Sequence, residues 1–324
     1  MSQIKPLPLA LAAASLIAAV LLYSWDGQQT EAVVSRAVVE AGPLLLGALC
    51  GLLCERSGVI NIGIEGMMLM SAFAGFFIAS YSGSIWFGMV GGLGMASLTG
   101  LFLAWTSVTL KQDQIIAGTI INIFALGFTS FYYVQGRTMA SIPRFAIPGL
   151  ADLPLVGPML FDHGILTFSA MFIVVAVHLM LYRTRWGLRT RAIGEHPSAA
   201  DTVGVNVITL RYRNVIIASL LAGVAGLHLL QSASSFQRGM TNGKGFIALA
   251  VMLFGRYRPF GAMGAALLFG LLGGIQAQLQ FKQALDIPPQ FFGMIPYLLT
   301  IIVLAAAGLA ARPPAAAGTP YEGA

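Results

Sequence analysis

Charge is scarce in this sequence. Lys, Arg, Asp and Glu make up 9% of the 324 residues, whereas a soluble domain carries about 25%, so a chain of this size could not cover itself in water. Cysteine is rarer still. Cys50 and Cys54 stand four apart in one apolar block, which stacks them on a single helix face without the geometry a disulfide needs. They form no Cys-x-x-Cys metal or redox pair, and His163, His178, His196 and His228 are too dispersed for a zinc site. No Gly-x-x-x-x-Gly-Lys-Ser/Thr loop is present, because Gly239 to Gly245 ends in Gly-Lys-Gly, and without that loop the chain lacks a nucleotide cradle of this type. Acids, histidines and nucleophiles nowhere gather into a catalytic constellation, so no catalytic residue, bound cofactor or metal is expected. The formal net charge is +6, yet the basic residues form no dense run with interleaved aromatics, and a nucleic-acid partner is not expected.

Apolar residues are abundant, at 57% of the chain, and they run in blocks long enough to cross a hydrocarbon core of roughly 30 Å as helices. The expected fold is therefore an all-α integral membrane protein with membrane lipid as solvent. Ten spans are read, near 6–23, 37–54, 62–80, 84–107, 114–134, 164–182, 214–232, 246–255, 260–280 and 291–310. The first follows Lys5 like a secretory signal, but no small-x-small cleavage site closes it, so it reads as an uncleaved helix. The eighth covers about half the membrane and reads as a half-helix. With both termini cytoplasmic, the inner side receives twelve of the 18 Lys and Arg, and the loop 183–213 alone carries six arginines, as the positive-inside pattern requires. Residues 1–311 form one transmembrane domain on this reading, and 312–324, rich in Pro, Ala and Gly, read as a disordered cytoplasmic tail.

Two halves, about 36–134 and 212–310, share a pattern of helix, polar Gly-rich break and apolar segment. The breaks, Glu55 to Gly66 and Gln237 to Gly245, fall on opposite sides of the expected topology, which makes the halves an inverted-topology repeat. Gly88 with Gly92 and Gly270 with Gly274 have the spacing that brings helix backbones together in lipid.

The chemistry concentrates in few places. Asn61 and Glu65 stand four apart, on one helical face if the segment is helical. A carboxylate at mid-membrane costs about 3 kcal/mol, so Glu65 either closes the cytosolic edge beside Arg56 or belongs to the translocation path. Gly118, Asn122 and Thr129 form a second polar stripe, in which Asn122 either bridges helices or binds a solute hydroxyl. Gln276, Gln278 and Gln280 alternate at spacing two and do not share one face. In the inner loop, Arg191 to Gly204 reads as a short surface helix with Pro197 in its first turn and Gly204 at its stop. Ala199 and Ala200 give it a low profile for another protein to grip.

At these segments the sequence resembles a known family. Glu55-Arg56-Ser57-Gly58-Val59-Ile60-Asn61-Ile62-Gly63-Ile64-Glu65-Gly66-Met67-Met68, with Gln114 to Thr129 and Gly239 to Ala250, is similar to the branched-chain amino acid, ribose and nucleoside group of ABC-transporter permeases, and most of all to nucleoside permeases. Arg256-Tyr257-Arg258 departs from it by being more basic. The resemblance implies a permease subunit of a bacterial inner-membrane importer, with an ABC ATPase that hydrolyses ATP, a second permease chain and an extracytoplasmic substrate-binding protein as partners. It also implies that Gly194, Glu195, His196, Pro197, Ala199, Ala200, Asp201 and Gly204 couple to the ATPase, while Asn61, Glu65, Asn122 and Thr129 are the expected path residues. The scarcity of buried charge suits a small neutral polar solute, a nucleoside first and ribose or another simple sugar second. An ion-coupled secondary transporter is the alternative of a different class, and it calls for a deep ionisable pair.

Overall fold

The computed structural model describes residues 27–282, apart from 147, 150, 152–156, 158–159 and 234, together with residues 294 and 312–323. The expected spans 6–23 and 291–310 lie outside the described residues. Within them the chain forms α1 (Gly27–Glu55), α2 (Ile64–Ser82), α3 (Ile85–Ala104), α4 (Gln114–Phe131), α5 (Ile165–Arg183), α6 (Arg185–Glu195), α7 (Pro197–Thr202), α8 (Val207–Ala233), α9 (Lys244–Phe254) and α10 (Pro259–Lys282). Seven of these are long and apolar enough to cross a membrane. The exception among the expected spans is α9, whose 11 residues reach about 16 Å. The long connection after α4 holds a two-stranded antiparallel ladder, Arg144–Ala146 with Asp162–Gly164, a small addition to the all-α expectation.

Local chemistry sets the ends of these helices. Asp113 caps α4 by accepting from Ile115 N at 2.8 Å and Ile116 N at 3.0 Å, which satisfies two orphan donors of the first turn. Gly83, at φ +69°, ends α2 with its N–H on Ala79 O at 3.0 Å, a left-handed stop that favours glycine. After α3 the chain widens into a π-helical turn, Trp105–Thr109.

Helix α1 is the centre of the bundle. Of its most apolar stretch 89% is buried, against 33% for α3, α4, α5 and α10, which form the periphery. Leu46, Leu49, Leu52 and Leu53 are wholly enclosed. The two Gly-x-x-x-Gly pairs act as expected. A methyl group on Gly274 would come within 2.5 Å of Val33 O, and one on Gly270 would collide with Ala37 O, so α10 lies backbone to backbone on α1. Gly88 brings α3 equally close to Gly75 of α2. In lipid such close van der Waals packing replaces the hydrophobic drive.

Residues 312–323 overturn one expectation. They are not a disordered tail: Ala316 N bonds Gly194 O at 2.9 Å, Gly318 N bonds Gly58 O at 3.2 Å, and Ala316 is buried. Disorder was expected from composition, but these contacts are made by backbone groups, which composition does not report.

Candidate functional site

The break before α2 and the break before α9 meet inside the bundle. Glu65, in the first turn of α2, accepts from Gly243 N at 2.7 Å and from Gly245 N at 2.6 Å, the two N–H groups that flank Lys244 at the start of α9. Its carboxylate thus sits at the positive ends of two helices at once, where charge-assisted bonds are strongest. Gly243 takes φ +75° to aim these donors, and a methyl group on Gly245 would come within 2.5 Å of Glu65 N. Glu65 therefore clamps the start of α2 to the start of α9, and is not a partner of Arg56.

Helix α4 holds the first break from the side. Asn122 accepts from Gly66 N at 2.7 Å through Oδ1 and donates to Ile62 O at 3.0 Å through Nδ2, while Gln114 Oε1 accepts from Ile60 N at 2.6 Å. Irregular backbone in a membrane protein needs such partners, because lipid supplies none. Gln114 was missed as a site residue, although its signal was there: Gln114, Gly118 and Asn122 recur every four residues and share one face.

Asn61 is placed differently from the expectation. Helix α2 begins only at Ile64, so Asn61 lies in the break and shares no helix face with Glu65. It is fully buried, with Nδ2 on the sulfurs of Cys50 at 3.5 Å, Cys54 at 3.7 Å and Met67 at 3.6 Å. Thr129 is likewise enclosed and bonds Ala125 O at 2.7 Å within its own helix. His228, also buried, meets Thr167 of α5 at 3.0 Å through Nε2, the interhelical role its position suggests.

A cavity of about 240 Å³ lies against α9 near the clamp, with Arg36, Glu40, Asn242, Lys244, Gln276 and Gln280 in its lining. Arg36 pairs with Glu40 at 2.9 Å, and Lys244 pairs with the other carboxylate oxygen. Gln276 and Gln280, four apart on α10, share the face that lines the cavity. Among the described residues no three His, Cys, Asp or Glu converge as a metal site.

The end of the bundle at Glu55 carries the other candidate site. Arg191 to Gly204 is two helices, not one: α6 stops at His196, and Pro197 opens α7. Gly204, at φ +83°, lies just after α7. Ala200 turns inward among Ile193, Val207 and Leu210, whereas Ser198, Ala199, Thr202 and Val203 face outward, so Ala199 but not Ala200 offers itself to a partner. Gly194 packs on Arg56 O. Arg56 in turn lies 3.9 Å from Glu195 and donates to Tyr257 O at 3.0 Å, which seats the basic turn Arg256–Arg258 under α1. Burial pushes the Tyr257 phenol above its usual range, with the nearby Glu55 carboxylate adding to the shift; the phenol thus stays protonated and able to donate to Glu55.

Residues 33–304 match the family described as branched-chain amino acid transport system / permease component. The guanosine ABC transporter permease protein NupQ of Bacillus subtilis (strain 168) is 37% identical over 89% of this chain and 96% of its own length. The nucleoside ABC transporter permease protein NupC of Lactococcus lactis is 34% identical over 85% and 92%. A permease protein of Haloferax volcanii named for glucose ABC transport, TsgC13, is 36% identical over 84% and 90%. Among solved structures, a chain of a metal-chelate type ABC transporter in an inward-facing conformation matches with a TM-score of 0.52 at 15% identity, covering 93% of this chain and 99% of that one, a likeness of fold.

Proposed function

Because the chain belongs to the family of branched-chain amino acid transport system permease components, we propose that it is the membrane-spanning subunit of an ATP-driven importer of nucleosides. A separate ABC ATPase docks on the outward face of α7, a second permease chain completes the pore, and an extracytoplasmic binding protein delivers the solute. The end that carries α6 and α7 is cytoplasmic on this reading, since it holds the arginines of 183–213. Ten spans and an inverted repeat of 36–134 and 212–310 complete the architecture; the breaks that open α2 and α9, tied by one carboxylate, support that symmetry.

The observation that carries the reading is the polar cavity beside the broken helix α9. Its one carboxylate, Glu40, is shared by Arg36 and Lys244, and its amides from Asn242, Gln276 and Gln280 suit a solute rich in hydroxyls and ring nitrogens. A carboxylate such as Glu40 accepts from vicinal ribose hydroxyls. Glu65 and Asn122 hold the break beside this path, Asn61 ties the break to Cys50 and Cys54 of α1, and Thr129 follows farther along α4. A sugar alone is the second reading, favoured by the similarity to the Haloferax chain.

The test is uptake of labelled guanosine into cells that carry the whole system, with unlabelled nucleosides, ribose and glucose as competitors. Nucleosides should compete and sugars should not, and deletion of the ATPase should abolish uptake. Competition by glucose or ribose alone would establish the second reading. Uptake that survives loss of the ATPase would make this an ion-coupled carrier.

A further inference from the structure

Helix α7 has six residues, far fewer than the roughly 12 that let an isolated helix hold itself. Its orientation must come from what packs beneath it. That underside is a small cluster of Ile193, Ala200, Val207 and Leu210, flanked by Trp186, Val205 and Tyr321. Tyr321 comes from the segment 312–323, and its hydroxyl donates to Asp201 Oδ2 of α7 at 2.6 Å. The same segment reaches α6 as well, where Ala315 N bonds Glu195 Oε2 at 3.2 Å and Ala316 N bonds Gly194 O at 2.9 Å.

On its other side the segment grips the break before α2. Gly318 N bonds Gly58 O at 3.2 Å, and Gly318, at φ +79°, lies so close to Ile60 that an added methyl group would meet its Cδ1 at 2.8 Å. Arg211 of α8 completes the arrangement. It is 1% exposed, Nη1 donates to Thr319 O at 3.1 Å, and Nε and Nη2 have no hydrogen-bond partner among the described residues. Burying a guanidinium without full satisfaction is costly, and a residue kept there at such a cost is better explained by position than by stability.

We propose that residues 312–323 are a strap that fixes α7 against the Gly58–Ile60 turn, so that movement of α7 is passed to the break before α2. The contacts run from Asp201 to Tyr321, along the strap to Gly318, across to Gly58, and through Ile60 and Gln114 to the break that Asn122 and Glu65 hold. Without the strap, α7 would yield locally when pushed. This proposal rests on the reading of α7 as the ATPase-docking helix.

The experiment uses the complete transporter in proteoliposomes and measures guanosine transported per ATP hydrolysed. A chain ended after Ala311 should keep its bound ATPase yet lose transport per ATP by about tenfold, the scale of one or two hydrogen bonds to charged groups. Tyr321→Phe should lower the ratio in the same direction, and should have no further effect once Asp201→Ala is present. A merely structural role would lower the amount of transporter and leave the ratio unchanged. Should the shortened chain fail to reach the membrane, the Tyr321→Phe and Asp201→Ala cycle decides alone: additive effects, or an unchanged ratio, overturn the strap. Ala199→Arg separates the premise, since an ATPase that still co-purifies with it would defeat the docking reading instead.

Discussion

Glu65 holds a half-buried carboxylate with backbone donors. Its acceptors face Gly243 N and Gly245 N from a sequence distance of nearly two hundred residues, so neither helix start can shift without breaking a charge-assisted bond. Glu65→Ala removes the protein acceptor of both donors, a cost of about 1–3 kcal/mol. Glu65→Gln keeps the shape and one strong acceptor oxygen, so thermal unfolding of the detergent-solubilised chain should rank wild type above Gln and Gln above Ala. Equal melting temperatures for Gln and Ala would show that the carboxylate is not the clamp. The same residue marks a limit of sequence reading. The motif Glu55 to Met68 announces that Glu65 is special, but its partner is fixed by the fold of a distant loop, and no spacing within one sequence reports that. Asn61 shows the converse, because its sharing a face with Glu65 depended on a helix, and the stretch stays irregular until Gly63.

At the scale of elements, the membrane-crossing helices were legible because lipid leaves few choices: a run of apolar residues between charges must be a helix. The boundary at the start of α1 was less so. Expected near residue 37, the helix extends from Gly27, since its polar first turns lie beyond the apolar run that a hydropathy reading detects. Glycine spacing was informative for the same reason as apolar length, because close backbone approach is what lipid-embedded helices have in place of a hydrophobic drive. Gly270→Leu should therefore push α10 off α1 at Ala37 and Ala41, destabilising the bundle by about 1–3 kcal/mol as overpacking does. Gly264, which faces open space within 4 Å, supplies the control, and Gly264→Leu should leave the melting temperature within a degree or two, a shift of well under about 1 kcal/mol. If the two substitutions behave alike, the α1–α10 contact is not tight in the membrane.

For the whole molecule, the decisive matter is which surfaces share a side. The polar cavity lies at the Arg36 end of α1, and α7 lies with Glu55 at the other end, 19 residues of helix apart, a length of about 29 Å that matches the hydrocarbon core of roughly 30 Å. On the proposed orientation one site faces the supply of solute and the other the supply of ATP. Cys50 and Cys54 are fully buried, and with both replaced by Ala a single new thiol reports on its own surroundings. In intact cells, Gln276→Cys should react with a membrane-impermeant maleimide and be protected by excess guanosine, whereas Val203→Cys should react only in inside-out vesicles. Protection arises because a bound nucleoside fills the cavity next to Lys244, and it should be lost with Glu40→Gln if that carboxylate holds the ribose. Reaction of both thiols from one side would contradict the topology itself, because a helix as long and as buried as α1 cannot place its two ends in the same aqueous phase.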